Sequence, residues 1–137
     1  MSSHDKTPTG SSAAPDYFVE ADGMRFAGRH LLLECWQANR LDDLEHIAAA
    51  LREASEVSRA TLLELKLHHF EGGGVSGVAI LAESHISIHT WPERGYAAID
   101  IFMCGQADPY LAIPVLRRAF AVERLQVSEH RRGIIPR

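Results

Sequence analysis

The sequence has few of the features that mark specialised protein classes. Its two cysteines are too few for the disulfide framework of a small secreted domain, so both thiols are expected to be free. No apolar run is long enough to span a bilayer, and residues 1–23 lack the apolar centre of a secretory signal. We therefore expect a cytoplasmic protein with no membrane partner.

An excess of positive charge is also lacking. The 14 Lys and Arg residues are outnumbered by 18 Asp and Glu residues, which gives a formal net charge of -4. Proteins that bind nucleic acids usually concentrate basic residues in a patch, and the basic residues of this chain form no long cluster. The composition therefore predicts no nucleic-acid partner.

The common local motifs of metal and hydrolytic enzymes are missing as well. Eight histidines are present, but there is neither a His-Glu-x-x-His helix nor a Cys-x-x-Cys pair, so no metal is expected. A Gly-x-Ser-x-Gly elbow is also absent. The open alternatives are a Cys–His hydrolase in which Cys104 meets His89 across a hairpin, a Ser–His hydrolase, and self-processing at Glu83–Ser84.

Composition and periodicity divide the chain into a tail and one domain. Residues 1–23 are rich in Ser, Thr, Pro, Ala and Asp and are predicted to form a disordered tail. Residues 24–137 are predicted to form one folded domain with the order β-α-β-β-β-β-α-β. Strands are predicted at 28–36, 60–70, 75–82, 84–91, 96–103 and 124–128, and helices over 41–55 and from Asp108–Pro109 onward.

Short turns between consecutive strands favour antiparallel pairing. The predicted fold is therefore an α+β two-layer sandwich, with a mostly antiparallel sheet and two helices on one face. The other face must be solvated or covered by a partner. Strand alternation would place His85, Ser87, His89 and Trp91 on that second face, and the isoleucines between them in the core.

Reactive side chains are concentrated in the two strands of a predicted hairpin. Glu-Ser-His-Ile-Ser-Ile-His-Thr-Trp-Pro-Glu occupies residues 83–93, and residues 95–105 end in Cys-Gly. Together with Gly-Val-Ser-Gly-Val at 74–78, Gly-Arg-His at 28–30 and Glu-His at 129–130, this pattern resembles the prokaryotic S-adenosylmethionine decarboxylase proenzymes. The resemblance covers about residues 27–133.

The resemblance implies that the chain cleaves its own backbone. The Ser84 hydroxyl would attack the Glu83 carbonyl to give an ester, and β-elimination followed by hydrolysis would leave a pyruvoyl group in place of Ser84. The products would be a β-chain of residues 1–83 and an α-chain of residues 84–137. By the same resemblance, His89 is the processing proton acceptor and donor, Ser76 assists the acyl shift, and Cys104 is the catalytic proton donor.

The resemblance also implies the chemistry of the mature protein. The pyruvoyl group would form a Schiff base with the substrate amine and accept electrons as CO2 leaves, so neither a metal nor pyridoxal phosphate is required. S-adenosyl-L-methionine would become S-adenosylmethioninamine for spermidine synthesis. Phe70 matches a residue that stacks on adenine, Glu93 matches one that binds the ribose hydroxyls, and Trp91 lines the same pocket. The αβ protomers are expected to form a homo-oligomer.

The chain departs from the family pattern close to the expected substrate pocket. Met103 stands where relatives usually have Thr, and Arg94 occupies a position that is commonly aromatic or His. An extra arginine there would repel a sulfonium cation. The alternatives are therefore the same pyruvoyl chemistry on L-ornithine or L-arginine, giving putrescine or agmatine, and a non-catalytic binding or regulatory homologue.

Overall fold

The computed structural model describes residues 17–136, and we restrict the structural description to them. In chain order, the elements are β1 (Val19–Ala21), β2 (Met24–Phe26), β3 (Gly28–Trp36), α1 (Leu44–Val57), β4 (Leu62–His69), β5 (Val75–Leu81), β6 (Ser84–Trp91), β7 (Tyr96–Met103), α2 (Ala112–Ala119) and β8 (Arg124–Arg132). Short 3-10 turns at Pro92–Arg94 and Pro109–Leu111 precede β7 and α2.

Six of the strands form one sheet in the order β4-β5-β6-β7-β3-β8. Every neighbouring pair in this sheet is antiparallel. The early strand β3 is inserted between β7 and β8, so it pairs with segments about 60 to 105 residues further along the chain. The predicted antiparallel sheet is confirmed, including the hairpin formed by β6 and β7.

The hydrophobic core lies between one sheet face and the two helices. Alternate residues of the inner strands are fully buried, such as Leu31 in β3 and Ile86 in β6, and they share one cluster with Ile47 and Leu51 of α1 and Leu116 of α2. Burying each such side chain contributes about 1.5–3 kcal/mol. The predicted two-layer α+β sandwich with both helices on one face is confirmed.

The start of α1 differs slightly from the prediction. Leu41 was included in the predicted helix, but Arg40 has a φ of 61° and the helix begins at Leu44. The Asp43 side chain accepts a hydrogen bond from the His46 amide at 3.1 Å, which satisfies a free N–H of the first turn. This cap explains why residues 41–43 remain outside the helix.

The second helix and the last strand also have refined bounds. Pro109 opens a 3-10 turn, and Pro114 lies in the first turn of α2, where its missing N–H leaves no intrahelical bond broken. The proline therefore sets the start of α2 rather than kinking it. Strand β8 continues past the predicted end at residue 128 to Arg132, because it pairs with the whole length of β3.

The predicted disordered tail is wrong for residues 17–23. Val19–Ala21 pairs with Met24–Phe26 in a small hairpin, whose two turn residues Asp22 and Gly23 have φ values of 52° and 74°. Val19 and Phe26 are buried, and Arg131 of β8 binds Asp22 at 2.5 Å. These contacts outweigh the polar composition of the segment. The rest of the predicted tail, residues 1–16, lies outside the described residues.

The second face of the large sheet, called the open face below, is not covered by either helix. It carries the side chains that alternate with the core, which are partly or fully exposed: Ser76, Val78, Ile80, His85, Ser87, His89, Trp91, His30, Leu32, Asp100 and Phe102. Within residues 17–136, neither helix has the length and apolar character needed to cross a membrane.

Candidate active site

The Glu83–Ser84 bond lies in a tight, strained turn. Leu81 of β5 pairs with Ser84 of β6, so Ala82 and Glu83 alone connect the two strands. Glu83 has a φ of 65°, in the left-handed region that costs a residue with a side chain about 1–2 kcal/mol. The expected cleavage site is therefore at a backbone position that stores strain.

A thiol approaches this turn from the neighbouring strand. Cys104 follows the last residue of β7, and its Sγ donates a hydrogen bond to the carbonyl oxygen of Glu83 at 3.0 Å. The same sulfur lies 3.9 Å from Ser84 Oγ. These contacts form because His85 pairs with Phe102, which aligns the start of β6 with the end of β7. Glu83, Ser84 and Cys104 are called the cleavage end below.

The environment keeps the Cys104 thiol protonated. Burial raises the pKa of Cys104, the nearby Glu83 carboxylate adds to the increase, and the hydrogen bond with Ser84 only partly opposes it. A protonated thiol is a hydrogen-bond and proton donor, whereas a depressed pKa would have indicated a thiolate nucleophile. The geometry therefore favours a donor role for this cysteine.

A cavity of about 910 Å³ lies beside the cleavage end. Its lining includes Glu83 and Cys104, and also Tyr17 and Arg29 from the N-terminal part of the chain. Tyr17 lies against Gly105, and a Cβ atom added to that glycine would be 3.3 Å from the tyrosine ring. The N-terminal segment that composition predicted to be disordered thus forms part of the wall around the cleavage end.

Ser76 and His89 form a second polar pair on the open face. The two residues are paired in register on β5 and β6, and Ser76 Oγ lies 2.8 Å from His89 Nδ1. Phe70 follows β4 at the same end of the sheet, and Trp91 and Glu93 follow His89 along the chain. These five residues are called the histidine end below. Phe70 and Trp91 are 48% and 42% exposed, so both rings are accessible to a ligand.

Asp42 supports the histidine end, a role that no motif of the sequence predicted. Its Oδ1 accepts hydrogen bonds from the Gly74 amide at 2.7 Å and from His69 Nε2 at 2.8 Å. The Gly74 bond, followed by the His69 bond, lowers the pKa of the Asp42 carboxyl. Phe70 N donates in turn to Gly74 O at 2.9 Å. The carboxylate therefore fixes the loop that presents Phe70.

The structure separates the expected site residues into these two ends. Ser84 and His89 are five positions apart on one extended strand, which is about 16 Å at the rise of a β-strand. His89 pairs with Ala98, six residues before Cys104. The idea that Cys104 meets His89 across the hairpin is therefore wrong within one chain, because the strand register holds them at opposite ends.

Most of the chain is similar to known proteins. A family model described as S-adenosylmethionine decarboxylase matches residues 29–133. The S-adenosylmethionine decarboxylase proenzyme of Thermomicrobium roseum is 47% identical over 114 residues, covering 82% of this chain and 98% of the relative. The proenzyme of the same name from Thermotoga maritima is 44% identical over 113 residues, covering 80% of this chain and 87% of the relative.

The fold is likewise similar to a solved structure. The crystal structure of the adenosylmethionine decarboxylase from Aquifex aeolicus VF5 matches with a TM-score of 0.74 and 33% sequence identity, over 81% of this chain and 94% of that one. The family model spans all of the large sheet from the second residue of β3 to the end of β8. The chain therefore belongs to the S-adenosylmethionine decarboxylase family.

Proposed function

We propose that this chain is a self-cleaving, pyruvoyl-dependent decarboxylase that converts S-adenosyl-L-methionine to S-adenosylmethioninamine and CO2, a step that supplies spermidine synthesis. The observation that carries the proposal is the contact of the Cys104 thiol with the Glu83 carbonyl, in a strained turn just before Ser84. The relatives at 43–47% identity are named proenzymes, which supports cleavage as part of maturation.

Cleavage follows from the groups at the turn. Ser84 Oγ attacks the carbonyl carbon of Glu83, the bond from that carbon to the Ser84 nitrogen breaks, and the nitrogen takes up a proton, leaving an ester. Removal of the Ser84 Cα proton then breaks the Cβ–O bond, which releases the Glu83 carboxylate and leaves dehydroalanine. Its tautomer reacts with water, ammonia leaves, and a pyruvoyl group begins the α-chain of residues 84–137.

The residues around Ser84 fit such a group. The Cys104 thiol already lies beside both the carbonyl and the Ser84 hydroxyl, and it is protonated at neutral pH. The pyruvoyl ketone supplies an electron sink for decarboxylation without a metal or pyridoxal phosphate. The Cys104 thiol is then placed to deliver a proton to the carbon that has lost CO2, which requires a donor rather than a thiolate.

A second copy of the chain completes the site in this proposal. Cleavage needs a base near Ser84, and the proposed base His89, with its partner Ser76, lies about 16 Å away along β6. A two-fold axis through the open face would lay the histidine end of one copy against the cleavage end of the other. Sheets pack face to face at about 10 Å, and the open face carries exposed Ile80 and Trp91 for such a contact.

The histidine end also provides the proposed contacts for the nucleoside part of the substrate. The exposed ring of Phe70 can stack on adenine, and Trp91 extends the aromatic surface beside it. The Glu93 carboxylate, in the 3-10 turn after β6, can accept hydrogen bonds from the ribose hydroxyls. A cytoplasmic location is part of the same proposal, and both cysteines are free thiols as it requires.

The test is CO2 release by the purified, cleaved protein from S-adenosylmethionine, L-ornithine and L-arginine in parallel. Ser84→Ala, which cannot form the pyruvoyl group, serves as the matched control. The proposal expects release from S-adenosylmethionine far above the other two, and none from the variant. Preferential release from ornithine or arginine would reject the substrate. Full-length, uncleaved protein without release from any of the three would favour a non-catalytic homologue.

A further inference from the structure

Two imidazoles and a carboxylate converge on the open face, beside the cleavage end, where His85 directly follows Ser84 in β6. His30 Nε2 lies 2.6 Å from Asp100 Oδ2, and His85 Nε2 lies 3.2 Å from the same oxygen. The three ligand atoms all lie within 4.8 Å of one another. No local motif could reveal this cluster, because its members come from β3, β6 and β7 and meet only through the sheet register.

The surroundings hold the three side chains in place. The Ser87 hydroxyl donates to the second oxygen of Asp100, which fixes the plane of the carboxylate. Phe102 of β7 pairs with His30 on one side and with His85 on the other. The centroid of its ring lies 5.7 Å from that of His30 and 6.1 Å from that of His85. In the single chain the side chains are 20–39% exposed, so an ion can reach the cluster before a second copy covers the open face.

Arg132 sets the proton position on one imidazole. Its Nη1 lies 3.2 Å from His30 Nδ1, and a guanidinium can only donate, so Nδ1 accepts. The proton of neutral His30 is then on Nε2, where it is donated to Asp100. An ion that binds Nε2 must displace this proton, which moves to Nδ1. Nδ1 can then no longer accept from Arg132, the exposed last residue of β8, so that hydrogen bond is released.

We propose that His30, His85 and Asp100 bind one divalent transition-metal ion such as Zn²⁺ or Co²⁺. Two imidazoles with one carboxylate suit these ions, whereas Mg²⁺ and Ca²⁺ prefer oxygen ligands alone. Tetrahedral zinc ligands lie about 3.3 Å apart at metal–ligand distances of about 2.0–2.1 Å, which small side-chain rotations reach from the observed spacing. Water takes the remaining position. The ion would tie β3, β6 and β7 together and does not depend on the proposed decarboxylation.

The test is equilibrium dialysis of the untagged, full-length protein against Zn²⁺, with Co²⁺ absorption in the visible range as a second readout of nitrogen and oxygen ligation. We expect one ion per chain. His85→Gln should lower the affinity more than about 100-fold, and Ser87→Ala, which removes only the support of Asp100, about 10- to 100-fold. His68→Gln, on the same face but outside the cluster, should leave it unchanged.

Arg132→Gln gives the sharpest outcome, because it removes the donor that competes for His30 and should strengthen binding. Ser84→Ala should bind the ion as well as the wild-type chain, which separates this site from the cleavage chemistry. Absence of binding, or binding that His85→Gln and Ser87→Ala leave unchanged, would overturn the proposal. If His85→Gln fails to fold, as judged by circular dichroism, the Ser87→Ala result decides.

Discussion

The Cys104 thiol donates a hydrogen bond to the carbonyl oxygen of Glu83 across the ends of two paired strands, at 3.0 Å. The carbon of that carbonyl is the atom that Ser84 Oγ attacks in the proposed cleavage. A donor aimed at the oxygen stabilises the negative charge that develops there during attack. We therefore propose a role for this cysteine in maturation as well as in the proposed decarboxylation.

Removing this donor should slow maturation without preventing folding. Loss of one strong oxyanion donor costs about 100- to 1,000-fold in rate, and a thiol is a weaker donor, so Cys104→Ala should slow cleavage about tenfold or more. The rate is measured on chain made by cell-free synthesis and followed on a denaturing gel. Cys35→Ala, at the buried cysteine in the core, is the matched control and should still be cleaved. Equal cleavage rates for the two variants would show that Cys104 has no role in the cleavage step.

The pH dependence of cleavage should report the same thiol. Burial raises the pKa of Cys104 above its ordinary value of 9.0, so the donor is present at neutral and mildly alkaline pH and is lost as pH rises through the raised value. Cleavage of the wild-type chain should therefore slow at strongly alkaline pH, beyond any general base effect. Cys104→Ala should lack this decline. A decline of the same size in both chains would assign the titration to another group.

Mixed oligomers test whether two copies share each site. A Ser84→Ala chain and a His89→Ala chain, co-expressed, should restore cleavage of the His89→Ala chain, because its intact Ser84 can meet His89 of the other copy. Mass spectrometry identifies which chain is cut. Co-expression of Ser84→Ala with Cys104→Ala is the control and should give no recovery, since both changes lie at the cleavage end. If co-expression of Ser84→Ala with His89→Ala does not restore cleavage, His89 acts on Ser84 of its own chain.

Substitution at Phe70 should separate substrate binding from maturation. Stacking of a base on an aromatic ring is worth about 1–3 kcal/mol, so Phe70→Ala should raise KM for S-adenosylmethionine about tenfold while cleavage proceeds normally. Leu63→Ala, at an exposed apolar residue on β4, the strand that precedes Phe70, is the control and should keep the wild-type KM. Slow cleavage of Phe70→Ala with an unchanged KM would contradict its assignment to the substrate pocket.

Much of the fold could be predicted because only one face of the sheet packs against the helices of the same chain. That packing imposes the two-residue alternation seen at Ile86 and Ile88, and the Asp108–Pro109 pair marks the approach to the second helix. The small N-terminal hairpin was not predicted because residues 1–23 are mostly polar. Val19 is nevertheless buried, and its burial depends on contact with distant parts of the chain.

The site was less predictable than the fold. The motif of residues 83–93 suggested that Ser84 and His89 act together, although the predicted strand, confirmed as β6, already holds them about 16 Å apart in one chain. Asp42, which lies just before α1, supports the Phe70 loop by accepting a hydrogen bond from Gly74 in the loop between β4 and β5. The cluster around Asp100 depends on the insertion of β3 beside β7. Such contacts follow from long-range pairing, which local spacing does not encode.

Intact mass under denaturing conditions tests the central claim, self-cleavage between Glu83 and Ser84, most directly. The wild-type chain of 15.2 kDa should separate into two fragments, residues 1–83 and an α-chain whose first residue carries the mass of a pyruvoyl group in place of Ser84. Ser84→Ala, purified in the same way, should stay at full length. A wild-type chain that remains whole, or a Ser84→Ala chain that still splits, would contradict the account.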